Sequence, residues 1–326
     1  MKTVLVTGAG GFLGSHLSEK FLQEGYNVIA VDNFCTGSRS NREFLESLAV
    51  KKDQKLFFIE ADVVQDWNSW LQAVPEVFQK SIQYVLHFAS PASPPLYQQL
   101  NLETLAVNST GLNKAMTFAD TVGARVVFAS TSEVYGVSSK DAQKEEDWGF
   151  VNSFSARSCY NESKRFGEAL IYAHNQRLGT QHGLVRIFNT YGPRMNPADG
   201  RVIINFLVQA KKGEALTLYG DGTQTRSFCY VSDLVEGIYR YTLSTFIEPI
   251  NIGNPAEITI KEVAEIIRNL FQKPGKDFVY SPISKEDPPR RKPDIQKAQD
   301  GLRWKPHVSL QDGLQHMQKW YLEQNP

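Results

Sequence analysis

The sequence predicts an α/β protein, a doubly wound parallel sheet followed by a smaller C-terminal lobe. Three observations carry this expectation. Through the first 190 residues, short runs of Val, Ile, Leu and Phe alternate with longer amphipathic stretches, as in a parallel sheet covered by helices on both faces. A glycine-rich turn, "VTGAGGFLG", sits at the first strand–helix junction. After "FNTYGPR" (188–194) the rhythm breaks into shorter elements with more Pro and Gly.

The expected strands are 3–7, 27–32, 56–60, 83–87, 124–130 and 183–188, each short and apolar enough to be buried on both faces. Helical patterns cover 12–24, 101–119 and 159–177. The expected units are 1–188, joined by about 226–252, and a lobe of 189–225 and 253–326. The charged, Pro-rich run "SKEDPPRRKPD" (284–294) reads as an ordered loop, because helical patterns resume after it.

Composition excludes several classes. The 326 residues carry 35 basic and 35 acidic side chains, which favours neither nucleic acid nor an anionic membrane. Cys35, Cys159 and Cys229 are odd in number and form no CxxC pair, and the six His residues form no HxxxH pair. A disulfide framework and a zinc site are therefore not expected, and a reducing cytoplasm is. "MKTVLVTGAG" is already a strand entering a turn, with no charged n-region or cleavage site. No apolar run reaches the ~18–20 residues of a membrane span.

Gly8, Gly11 and Gly14 have GxxGxxG spacing between a strand and a helix. Glycines there allow a tight turn and let a pyrophosphate approach the helix N-terminus, whose free N–H groups attract anions. Asp32 ends the next strand, 18 residues after Gly14, where a carboxylate holds the adenosine ribose of a Rossmann-bound dinucleotide. It would repel the extra phosphate of NADP, and "NFCTG" after it offers no immediate Arg, so NAD is expected. Asp62 in "EADV" is either an adenine contact or a helix N-cap.

"CYNESKR" puts Tyr160 and Lys164 at i and i+4, on one helical face. A free phenol, with a pKa near ~10, is a poor base, and an adjacent ammonium makes its phenolate accessible. The strand in "ARVVFASTSEVYG" ends in Thr131, Ser132 and Glu133. Ligands of open parallel sheets bind beyond the carboxyl ends of the strands, so these three are expected in the cleft with Tyr160.

In these motifs the chain resembles the extended short-chain dehydrogenase/reductase family (the NAD-dependent epimerase/dehydratase family), and within it the UDP-glucuronate decarboxylase branch. The resemblance runs through "TGAGGFLGSHL", "HFASPASPPLY", "STSEVYG", "RSCYNESKR", "RIFNTYGPRM", "DGRV", "YGDGTQTRSFCYVSDLV", "NIGNP" and "RRKPDI". One departure is Asn161 and Ser163, where that branch reads Asp and Gly. The resemblance implies conversion of UDP-glucuronate to UDP-xylose through a 4-keto intermediate. Thr131, Tyr160 and Lys164 would serve the hydride chemistry, and Ser132, Glu133 and Arg226 the decarboxylation. It further implies NAD contacts from Phe12, Leu13, Asn33, Val63 and Ala89 beside the glycines, Asp32 and Asp62. Pro94, Tyr97, Asn189, Arg194, Arg201, Arg226 and Arg291 would contact the sugar nucleotide, with the arginines suited to phosphate. Tyr219 lines the uridine pocket or belongs to the lobe core. A homodimer through the helices near 101–119 and 159–177 is implied too, unless their apolar stripes only cover the sheet.

Two sister activities use the same Tyr and Lys. A 4,6-dehydratase needs an acid where this chain has Ser132, and a 4-epimerase has no use for Glu133. A non-catalytic NAD-binding protein would typically have lost Tyr160 or Lys164, and both are kept.

Overall fold

The computed structural model describes residues 1–49, 54–138, 140–271, 278–282 and 290–324. Seven strands, β1 (Thr3–Thr7), β2 (Asn27–Asp32), β3 (Leu56–Glu60), β4 (Ile82–His87), β5 (Arg125–Thr131), β6 (Gly183–Ile187) and β7 (Ile250–Ile252), form one sheet. Their order is β7-β6-β5-β4-β1-β2-β3, and every pairing is parallel. Chain direction across the sheet reverses between β1 and β4, which opens a crevice beyond their carboxyl ends.

Period-two alternation divides the strand side chains between two cores. Val4, Val6, Val28, Ala30, Leu86, Val127 and Val185 face one core, and Leu5, Ile29, Val31, Val85, Val126, Phe128 and Leu184 face the other. Each of these Val, Leu, Ile and Phe side chains stabilises the fold by about 1.5–3 kcal/mol on leaving water. The first core is closed by α1 (Phe12–Gln23). The second is closed by α2 (101–122), which has a π-helical turn at Val107–Gly111, and by α3 (Ser158–Leu178). Helices α4 (Val202–Lys212) and α5 (Val231–Leu243) follow.

A third core gathers Tyr191, Ile204, Leu207, Phe228, Val263, Ile267, Leu314 and Met317 in the lobe. The expected lobe segment 253–326 is not uniform. Ile295, Ala298, Leu302 and Trp304 pack with α5 and β7 in the first core, because Trp304 Nε1 donates to the Asp233 carbonyl at 2.8 Å and ties this stretch to α5. Of the run 284–294, residues 284–289 lie outside the described residues. Arg290–Arg291 forms a short strand parallel to Thr225–Ser227, which also pairs antiparallel with Glu257–Thr259. No helix among the described residues is long and apolar enough to cross a membrane. All three cysteines are free.

Candidate active site

A cavity of about 860 Å³ opens where the sheet strands end, and every site residue named from the sequence lies on its wall. One half is the glycine cradle. Gly8 has φ +73°, and a Cβ there would lie 2.7 Å from the Ala89 nitrogen. A Cβ on Gly14 would lie 2.0 Å from the Gly8 carbonyl oxygen, so only glycine lets α1 approach β1 this closely. Gly11 caps α1 without a side-chain hydrogen bond, which leaves the N-terminal N–H groups to an anion.

Asp32 is buried, and its carboxylate accepts from the Gly10 N–H at 2.8 Å and the Phe34 N–H at 2.7 Å. Burial pushes its pKa up against the pull of those amides. The amides aim the group while leaving lone pairs for a diol. Arg39, the first arginine after β2, is paired bidentately with Glu60 at 2.8 and 2.9 Å. The cradle and this carboxylate fit a dinucleotide with a free ribose diol. Asp62 is not a helix cap: it accepts from Val64 N–H and Asn33 Nδ2, and Asp66 caps the next helix.

The chemical half centres on α3. Tyr160 stacks on Tyr97, with ring centroids 4.9 Å apart and planes within 6°. Burial pushes the Tyr160 phenol up to about 12, opposed by a hydrogen bond with Thr131. Lys164 Nζ donates to the Ala129 carbonyl at 2.7 Å and lies 5.6 Å from the centre of the Tyr160 ring. Burial alone pulls its ammonium down to about 7.

β5 delivers the polar run. Ser130 serves structure, donating to Glu168, which is paired with Arg186. Thr131 Oγ1 accepts from the Glu133 N–H at 3.2 Å and caps the 3₁₀ turn Ser132–Tyr135. Glu133 is clasped by two guanidiniums. Arg157 Nη2 lies 2.8 Å from each carboxylate oxygen, and Arg291 Nη1 contacts Oε1. Against the cost of burial, Arg291 and Arg157 hold the Glu133 carboxyl down at about 2.

The arginines separate into different roles. Arg291, expected on the sugar nucleotide, is the one that joins Glu133, while Arg226 is its neighbour in register and donates to the Thr225 carbonyl. Arg194 lies on the cofactor half, donating to Glu19 of α1 at 2.6 Å and stacking over Phe44 at 4.4 Å. Arg201 pairs with Asp199 and is near enough to Tyr160 to favour its phenolate. Asn189 lies on the wall beyond β6, and Pro94 begins the short helix that carries Tyr97. Tyr219 is 53% exposed, which rules out the lobe-core alternative. Sequence reasoning missed Arg157. Its signal was its place three residues before Tyr160, one turn away on the same face.

The family description "NAD dependent epimerase/dehydratase family" matches residues 4–253. The chain belongs to this family. Among curated relatives, UDP-glucuronic acid decarboxylase 1 of Danio rerio is 42% identical over 313 residues, 96% of this chain and 71% of the relative. UDP-glucuronic acid decarboxylase 6 of Arabidopsis thaliana is 43% identical over 320 residues, 97% of this chain and 88% of the relative. Among solved structures, the Bacillus cereus UDP-glucuronic acid 4-epimerase in complex with UDP-glucuronic acid and NAD superposes with a TM-score of 0.86. It is 26% identical and covers 99% of both chains. Two features therefore stand out in this epimerase/dehydratase family chain: the phenol–ammonium pair on α3 and the doubly clasped Glu133.

A second polar cluster lies away from the cavity. Asp120, His174 and His182 bring their side-chain oxygens and nitrogens within 4.8 Å of one another. Val126 N–H donates to His182 Nδ1 at 3.1 Å, so the neutral ring keeps its proton on Nε2. An N–H rather than a lone pair then faces Asp120 at 3.2 Å.

Proposed function

We propose that this protein is an NAD-dependent UDP-glucuronate decarboxylase that forms UDP-xylose through a 4-keto intermediate. The observation that carries the reading is Glu133, held ionised between Arg157 and Arg291 on the cavity wall. A 4,6-dehydratase would use this carboxylate as its base, and a group held at about 2 is a weak one. Ser132, a hydroxyl, would also be a poor acid for expelling the sugar's hydroxyl. Identities of 41–43% with UDP-glucuronic acid decarboxylases over nearly the whole chain support the same choice.

NAD, when bound, supplies the acceptor and later the donor of hydride. Gly8, Gly11, Gly14 and Asp32 hold it, and Asp32 favours it over NADP. Tyr160, as phenolate, takes the proton from the sugar's 4-hydroxyl, with Lys164 and Arg201 stabilising the anion and Thr131 orienting it. The resulting ketone lies β to the carboxylate. The C5–C6 bond then breaks, carbon dioxide leaves, and the electron pair enters an enolate whose oxygen faces the Tyr160 phenol. Until that bond breaks, Arg157 and Arg291 hold the substrate carboxylate near ionised Glu133, and afterwards a proton taken up from solvent adds at C5. Reduction of the C4 ketone, for which bound NADH would supply the hydride while Tyr160 returns its proton to O4, leaves no net redox change.

Tyr97, stacked on Tyr160, forms one wall for the sugar, and Asn189, Tyr219 and Arg226 belong to the nucleotide end. We assign the protein to a homodimer through α2 and α3, which expose Leu102, Leu105, Phe166 and Tyr172. We assign it to the cytoplasm, in keeping with three unpaired cysteines.

Incubation with UDP-glucuronate and catalytic NAD, followed by carbon dioxide capture and NMR of the nucleotide sugar, tests the reading. One carbon dioxide per UDP-xylose is expected. An epimerised uronate without carbon dioxide, or a 4-keto-6-deoxy sugar from a neutral hexose nucleotide, would overturn it.

A further inference from the structure

The motif "NIGNP" (251–255) has no place in the chemistry above, and its first residue does not line the cavity. Asn251 is nevertheless fully buried, in β7. Both N–H donors and the oxygen of its carboxamide are engaged. Oδ1 accepts from the Tyr135 hydroxyl at 2.7 Å, and Nδ2 donates to the Gln143 and Asp294 carbonyls, both at 3.0 Å. Carbonyls cannot donate, so the orientation of the amide is fixed. Arg186 Nη1 donates to the same Tyr135 oxygen at 3.0 Å, which leaves the phenol proton for Asn251.

The partners of this one side chain lead to both halves of the Glu133–Arg291 pair. Tyr135 ends the turn Ser132–Tyr135 that carries Glu133. Asp294 lies three residues after Arg291. Gln143 lashes the intervening stretch: its N–H donates to the Lys292 carbonyl at 2.9 Å, its Oε1 accepts from the Lys292 N–H at 2.8 Å, and its carbonyl accepts from the Asp294 N–H at 2.8 Å. The two ion-pair partners are 158 residues apart in sequence, so their register depends on such a hub.

We infer that Asn251 is a positioning residue of the reaction, setting Arg291 against Glu133 by holding both of their segments on one buried carboxamide. Its kinetic readout rests on the decarboxylase reading, and its structural readout does not.

Asn251→Asp is isosteric, keeps the acceptor for Tyr135 and replaces the NH₂ that donates to two carbonyls by a single oxygen facing both. The expected result is a kcat ~10–100-fold lower, with KM for UDP-glucuronate and Kd for NAD within ~3-fold of the parent. In an Arg291→Ala background the same substitution should change single-turnover rates by less than ~2-fold, because the residue acts through Arg291. Additive effects, or an unchanged kcat in folded Asn251→Asp, would overturn the inference. If that variant does not fold, Tyr135→Phe, which cuts the Glu133 side of the hub together with the Arg186 contact, must lower kcat and show the same non-additivity; an unchanged kcat there overturns it equally. Should the parent release no carbon dioxide, the decarboxylase reading fails and hydrogen exchange decides this inference. The Asp294 amide should exchange at least ~10-fold faster in Asn251→Asp while the Leu5 amide is unaffected, and equal Asp294 exchange rejects the role.

Discussion

Arg157 grips Glu133 through a single nitrogen, Nη2, that lies 2.8 Å from both carboxylate oxygens. With Arg291 on Oε1 as well, the strand-end carboxylate is a fixed negative charge between two positive ones rather than a proton carrier.

The first prediction follows from that charge. The folded Glu133 carboxyl sits at about 2, below the ~4.3 of an unfolded glutamate. Its stabilising contribution is therefore complete above ~4.3 and is lost as pH falls toward 2. Between pH 5 and 8 no limb of the kcat profile should report Glu133. Glu133→Gln should cost about 3–5 kcal/mol by leaving two part-buried guanidiniums unbalanced. It should also lower kcat ~100-fold without raising KM for a carboxylate substrate. Urea denaturation and steady-state kinetics measure the two effects, and a raised KM would contradict the assigned role.

Removing Arg291 should move that titration. Its field is the largest influence lowering the Glu133 pKa, so Arg291→Ala raises the folded value. An acid limb absent from the parent should then appear in the pH–rate profile. Arg226→Ala, which leaves the Glu133 contact in place, should introduce no such limb. Parallel profiles of the two variants separate these arginines.

Tyr160→Phe should lower kcat by ~10²–10⁴ while NAD binding, read by fluorescence titration, stays within a few-fold. Lys164 gives a stability signature. Its folded pKa of about 7 lies below the ~10.4 of an unfolded lysine, so the unfolded chain binds the extra proton between those values. The destabilisation is full below pH 7 and fades as pH rises. In protein stripped of dinucleotide, stability should climb from pH 7 to 9, and Lys164→Met should remove that part of the slope. Equal slopes in parent and variant would refute the buried ammonium.

How much of this was legible in the sequence depends on distance along the chain. β1, β2 and β5 could be read because burial on both faces leaves apolar runs, and β4 and β6 because most of their residues are buried and apolar despite Gln83 and Arg186. The glycine cradle and the Tyr160–Lys164 pair could be read because their chemistry is set by local spacing. β7 spans only Ile250–Ile252, too short for a period to show. The arginines were readable as anion seekers but not by partner. Arg194 found Glu19, 175 residues away, and Arg291 found Glu133, because tertiary packing rather than residue type chose the anion.

Asp32 supports the last prediction, on cofactor choice. Its two oxygens are fixed by the Gly10 and Phe34 amides, so the charge cannot swing away from a phosphate placed on the adenosine ribose. The nearby guanidinium of Arg39 is engaged by Glu60. Asp32→Asn keeps the shape but turns an NH₂ toward one of those amide donors, at a cost of about 1–3 kcal/mol. It also removes the charged acceptor for the ribose diol, so NAD affinity should fall ~10–100-fold. NADP should lose less, because the repulsion goes with the charge, and the preference between the two dinucleotides should narrow. Fluorescence titrations of parent and variant with both dinucleotides measure that ratio. A parent protein that binds NADP as tightly as NAD, or a variant whose ratio does not move, would show that Asp32 does not select the cofactor.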